Sequence, residues 1–140
     1  MNRPPLVDLI ALNNGGFNNI HFSSPVTNPY MAFTSWNGNT VNFSAAFSII
    51  SPGCGYWGCG TFVPNGSNTG FFGNGEVHGV LQFPGTFSDI SFTDTSENWH
   101  GFTVGIADVA NPVPEPSSLA LLGAGLAGLG AMRRRRKAKA

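Results

Sequence analysis

The sequence predicts an all-β body, an antiparallel β-sandwich or jelly-roll-like domain, followed by a single C-terminal membrane-anchoring α-helix. Three observations carry that expectation. Residues 40–50 alternate apolar and polar side chains with a period of two, the mark of a strand with one buried face. Asn-Gly, Pro-Gly and Ser-Pro pairs divide the first 111 residues into short apolar segments, and such pairs punctuate turns. Only Leu119–Met132 reads as an unbroken Leu/Ala/Gly run with no charge and no hydrogen-bonding side chain.

Taken in order, residues 6–22 form a first weak β segment, with Asn13-Asn14-Gly15-Gly16 as its turn and Phe17, Ile20 and Phe22 following. Ser24-Pro25 and Asn28-Pro29 mark loops. Tyr30 to Trp36 is a short strand, and Trp36-Asn37-Gly38-Asn39 is a hairpin signal. In the strand at 40–50, Val41, Phe43, Ala45, Phe47 and Ile49 face one way. Pro64 to Gly70 is a turn-rich loop. Strands resume at Phe71-Phe72 and from Glu76 to Phe83, with Val77, Leu81 and Phe83 on one parity, until Pro84-Gly85 breaks the run. Phe87–Thr93 carries Ile90 and Phe92 inward, Asp94–Asn98 is a polar turn, and Trp99–Ile106 turns Phe102, Val104 and Ile106 inward. That makes six to eight short strands, an all-β pattern.

Composition narrows the compartment and the partners. Charged residues make up 10% of the chain, against about 25% in a typical soluble domain. The formal net charge of zero conceals an asymmetry: six of the seven Lys/Arg residues lie at 133–139, leaving Arg3 against six carboxylates in the body. A body of net charge −5 lacks the cations that phosphate neutralisation needs, so nucleic acid is excluded as a partner. The amino terminus, Met1 to Gly16, has one Arg and an apolar stretch broken by Asp8. It lacks the apolar core and small-residue cleavage site of a secretory signal, and the expectation is a coding sequence that extends upstream of Met1 or a chain that begins after its signal, with a non-classical export route as the alternative.

Both cysteines, Cys54 and Cys59, sit in Ser51-Pro-Gly-Cys-Gly-Tyr-Trp-Gly-Cys-Gly. In an oxidising compartment they form a short-loop disulfide, worth about 2 kcal/mol by chain entropy. A metal site needs about four ligands and no second Cys pair exists; a catalytic Cys would need a His that sequence cannot place. No metal and no cofactor is expected. Tyr56 and Trp57, inside the loop, are candidate glycan contacts, and packing inward is the equal alternative.

His21, His78 and His100 are the only histidines. Glu76-x-His78 places two side chains on one strand face, and Glu97…His100 opens a strand, yet structural roles outweigh a metal site. Asp94 and Glu97 are the candidate acid–base or calcium pair, against a plain turn with solvated carboxylates. There is no Gly-x-Ser-x-Gly, His-Glu-x-x-His or phosphate loop. The threonines are scattered and no internal repeat occurs, which weighs against a flat ice-binding face. No catalytic residue is assigned.

The tail, residues 112–140, has three blocks. Pro114 and Pro116 make Pro114-Glu115-Pro116 extended, and Pro116 is suited to opening a helix whose positive end favours Glu115. Counted from Ser117, the apolar run makes a helix of about 24 Å, short of the ~30 Å hydrocarbon core. Leu119, Leu121, Leu122, Leu126 and Leu129 are its membrane-anchoring residues. Arg133, Arg134, Arg135 and Arg136 form a cytoplasmic stop by the positive-inside rule, and arginine snorkelling lets a short span reach both interfaces. Ala120, Ala124 and Gly128, four apart, permit close helix docking.

The ordered set of Pro114-Glu115-Pro116, a Gly/Ala/Leu helix and an Arg cluster resembles the PEP-CTERM sorting signal of Gram-negative bacteria. The resemblance covers about a fifth of the chain, and the stretch Phe87–Gly105 looks like the last strands that often precede such tails. It implies that Pro114, Glu115 and Pro116 are the recognition motif of exosortase, a membrane-embedded processing enzyme, and that the bilayer holds the precursor transiently. It further implies an inner-membrane-anchored precursor destined for the cell surface or extracellular matrix, with exopolysaccharide as an associated partner. The function expected is a non-enzymatic surface or matrix protein. The alternatives are a carbohydrate-binding sandwich using Trp36, Tyr56, Trp57 or Trp99, and a small secreted hydrolase.

Overall fold

The computed structural model describes residues 6–96 and 98–107. The chain divides into Met1–Ala110 and Asn111–Ala140, and all the described residues belong to the first unit. After a 3-10 turn at Leu6–Asp8 come ten strands: β1 Ile10–Leu12, β2 Gly16–Thr27, β3 Tyr30–Trp36, β4 Thr40–Phe43, β5 Ser48–Gly55, β6 Gly58–Pro64, β7 Gly70–Gly75, β8 Val77–Gln82, β9 Thr86–Asp94 and β10 His100–Gly105. The expectation of all-β structure holds, with more strands than the six to eight anticipated. The anchoring helix lies outside the described residues. Among those described, no helix is long and apolar enough to cross a membrane.

All strand pairs are antiparallel, in the order β1-β10-β3-β8-β5-β6-β7-β4-β9-β2. The pattern is that of a long ribbon folded at the β5–β6 hairpin, so β4 meets β7, β3 meets β8, β2 meets β9 and β1 meets β10. Winding the ribbon adds β10–β3, β8–β5, β9–β4 and β6–β7 contacts and curls the sheet over itself.

Aromatic side chains from both halves fill the curl. Phe33 of β3 lies 6.1 Å from Phe43 of β4 and 5.7 Å from Phe71 of β7. Phe92 of β9 lies 5.5 Å from Phe102 of β10. Most of these contacts are edge-on, the geometry ring quadrupoles favour. Val41, Val77, Leu81, Phe83 and Ile90 are fully enclosed among them. With so few charges, this core is the body's chief source of stability.

Four local readings need correction. Residues 40–50 are two strands, because β4 ends at Phe43 and β5 begins at Ser48 in the other half of the sheet. Phe43 and Phe47 are both buried, their amides bonded to the Thr69 and Asn68 carbonyls, while Ser44 and Ala46 between them are exposed. Ile49, beyond the crossing, is 37% exposed. Trp36–Asn39 is a crossing turn and not a hairpin, since β3 and β4 pair with different strands. Gly38, at φ 68°, supplies the left-handed step. Ser24-Pro25 falls inside β2, at its register shift between His21 and Val26; proline fits there because β2 is an edge strand. Ile106 follows the end of β10 and is 44% exposed.

Candidate functional site

The described residues bring two groups of chemistry-bearing side chains together, one at the tip of the ribbon and one inside it. At the tip, β5 and β6 close through a two-residue turn, Tyr56-Trp57, with Gly55 opposite Gly58 and Cys54 opposite Cys59. A disulfide joins the two cysteines, whose Cα atoms are 4.2 Å apart. The hairpin lies on His78 of β8. A Cβ at Gly55 would run into the His78 ring, so only glycine permits the approach.

Trp57 is the centre of an aromatic group. Its ring is parallel to His78 within 3° at 6.4 Å, stands edge-on to Tyr56 at 5.3 Å, and is tilted over Trp99 at 4.8 Å. Tyr56 is 53% exposed, and Trp57 and Trp99 are half-buried. Trp57 and Trp99 are far apart in sequence, and the pairing β10–β3–β8–β5 delivers both to one face.

A polar rim adjoins the rings. Glu76 precedes β8 and lies against Gly58, its amide bonded to the Cys59 carbonyl at 3.1 Å. Ser35 donates to Glu76 Oε2, and Asn37 Nδ2 to Oε1 at 3.0 Å. Ser35 has φ 59°, uncommon for a non-glycine residue. It occupies the irregularity in β3 between Phe33 and Trp36, and such a bulge re-aims the next side chain.

That re-aiming overturns one expectation. Trp36 is fully buried and packs edge-on against His100 at 4.4 Å. Its indole N–H donates to the Gly101 carbonyl at 2.8 Å. It touches no ligand from there, so the candidate aromatic contacts reduce to Tyr56, Trp57 and Trp99.

The three histidines take separate places. His21 is exposed beside Asp89, its register partner, with Nδ1 3.0 Å from the carboxylate; Asn19 and His21 hold the Asp89 carboxyl below its usual range. His78 Nδ1 sits 3.0 Å from Thr34 Oγ1, and its Nε2 is buried with no hydrogen-bond partner. Burial pulls its pKa below the ordinary 6.5, opposed by the Glu76 charge. Glu76 and His78 therefore adjoin the same hairpin, with Glu76 outside the strand.

His100 lies inside the ribbon. Its Nε2 is 2.9 Å from Asp94 Oδ2, and both side chains are completely enclosed. Asn18 donates to Asp94 Oδ1 at 2.8 Å, and Asn39 Oδ1 accepts from the amide and hydroxyl of Thr95, each at 3.1 Å. Burial lowers the His100 pKa, and the bond and charge of Asp94 work against it. This corrects the reading of Asp94 as a solvated turn carboxylate: it ends β9 and joins β2, β9 and β10 from within. Sequence parity carried the signal, because Asp94 continues Ile90 and Phe92, and His100 precedes Phe102 and Val104. Glu97 lies outside the described residues. Among those described, no three His, Cys, Asp or Glu residues are grouped to hold a metal.

Every tail residue assigned above, Pro114, Glu115, Pro116, Leu119, Leu121, Leu122, Leu126, Leu129 and Arg133–Arg136, lies outside the described residues. Their assignment rests on sequence. No curated protein and no solved structure matches the chain. Residues 112–136 match the family model of the PEP-CTERM protein-sorting motif. The chain thus carries a PEP-CTERM sorting signal, which supports exosortase-directed sorting of an exported protein.

Proposed function

We propose that this chain is a non-enzymatic component of the cell surface or extracellular matrix, associated with exopolysaccharide and biofilm, whose precursor the tail holds in the inner membrane until exosortase processes it. The observation that carries the reading is the sorting motif at residues 112–136. In this reading Pro114-Glu115-Pro116 presents an extended peptide at the membrane surface, where a membrane-embedded enzyme can grip it. The apolar run holds it there, and the four arginines keep the far end among cytoplasmic headgroups.

The body fits such a role. We take its ribbon, folded at β5–β6 and wound so that β1 meets β10 and β2 meets β9, as a jelly-roll sandwich. The disulfide belongs to an oxidising compartment. The closely bonded acid–base pair Asp94 and His100 is sealed from solvent and belongs to the core.

The test is the full chain behind a secretory leader in a host with exosortase, compared with Glu115→Ala. The expected result is a processed, extracellular product from the parent chain and an unprocessed membrane-bound precursor from the variant. Equal processing of both overturns the assignment of the motif.

A further inference from the structure

We infer that the tip of the β5–β6 hairpin is a binding site for a neutral polysaccharide, with Trp57 and Trp99 as its stacking floor and Tyr56 as an exposed flank. Three observations lead there. First, the rings are clustered about Trp57 within 4.8–5.3 Å and remain partly open to solvent. A sugar ring has an apolar C–H face and a rim of hydroxyls, so an aromatic floor beside hydrogen-bonding groups matches it on both counts. Here the rim is the Glu76 carboxylate, beside Gly58 at the base of the turn, and the exposed Asn37 bonded to it, with the buried Ser35 bracing Glu76 from within.

Second, the floor is fixed before any ligand arrives. The disulfide closes the hairpin, and His78 supports it from beneath, in parallel contact with Trp57 and fitted against Gly55. A binding surface already ordered loses little conformational entropy on association.

Third, charge selects the class of glycan. There is no Lys or Arg between Arg3 and Arg133, so the face offers an anionic polymer no fixed cation. The Glu76 carboxylate sits at the rim, and like charges across an interface disfavour the wrong partner. A polyuronate is repelled; a neutral glucan, mannan or galactan is not.

The test is affinity electrophoresis of the full chain, in a sugar-free detergent, through gels containing neutral glucan, mannan or galactan, or a polyuronate. Tryptophan fluorescence of the same samples is the second readout. The expected result is retardation by at least one neutral polymer with a change in tryptophan emission, and none by the polyuronate. Trp57→Ala should weaken retardation about tenfold or more. If Trp57→Ala fails to fold, Tyr56→Ala decides, since its exposed ring can be removed without opening the core. Three results overturn the inference: no retardation by any neutral polymer, equal or greater retardation by the polyuronate, or retention undiminished in the folded variants. Binding and sorting are separable, because a chain with Glu115→Ala keeps the platform and one with Trp57→Ala keeps the tail.

Discussion

Gly55→Ala is the sharpest probe of the hairpin. The added methyl would overlap the His78 ring, which is buried against Gly55, parallel to Trp57, and bonded to Thr34 at 3.0 Å. Relief requires moving that ring. Overpacking of this kind costs about 1–3 kcal/mol, and loss of the Thr34 bond adds about 1 kcal/mol. The sum, roughly 2–4 kcal/mol, lowers the Tm of a domain of this size by about 10–20 °C. Gly53→Ala is the control two residues earlier in the same strand, where an added Cβ meets nothing within 4 Å, and its effect should stay within about 0.5 kcal/mol. Thermal unfolding followed by circular dichroism measures both. In a His78→Ala background the Gly55→Ala penalty should shrink by at least about 1 kcal/mol, as direct contact requires. If Gly55→Ala melts with Gly53→Ala, the seating of the hairpin on His78 is refuted.

The interior pair gives a second test. Asp94→Ala removes the carboxylate that bonds His100 and Asn18 and should cost about 1–3 kcal/mol in urea unfolding, whereas Asp89→Ala, at the exposed His21 pair, should leave the midpoint nearly unmoved. Acid should destabilise the body. His78 and His100 both have folded pKa values below the ordinary 6.5, so the unfolded chain binds more protons and the stability present above that value is lost as pH falls through it. A Tm that rose between about pH 7 and pH 5 would contradict both burial assignments. Replacing both cysteines by serine should cost about 2 kcal/mol and, if the platform is preorganised, weaken polysaccharide retardation as well; unchanged stability and retardation would remove the disulfide from both roles.

Local signals located strands well and wiring poorly. Tyr30–Trp36 was legible to the residue because Asn28-Pro29 and Asn37-Gly38 bracket it. Residues 40–50 misled because alternation reports which side chains are buried and says nothing of which strand the backbone bonds. Phe43 and Phe47 are both in the core on either side of a crossing. Trp36 misled for a different reason: an irregularity at Ser35 reverses the parity that a regular strand would give it. The hairpin rings Tyr56 and Trp57 stood out between two cysteines. Their neighbours lie far off in the chain, His78 in β8, Glu76 just before it and Trp99 just before β10, and only the pairing β10–β3–β8–β5 brings them in. Asp94 and His100 were partly legible, since each shares the parity of apolar neighbours that face inward. That parity was outweighed by the polar run Asp94–Asn98.

The most direct measurement concerns the tail. An exported reporter carrying residues 112–140 should partition with membranes in a strain lacking exosortase, and should be cut and released in one that has it. A fusion that stays uncut and fails to reach the membrane in both strains would contradict the assignment of this segment as the signal that sorts the protein.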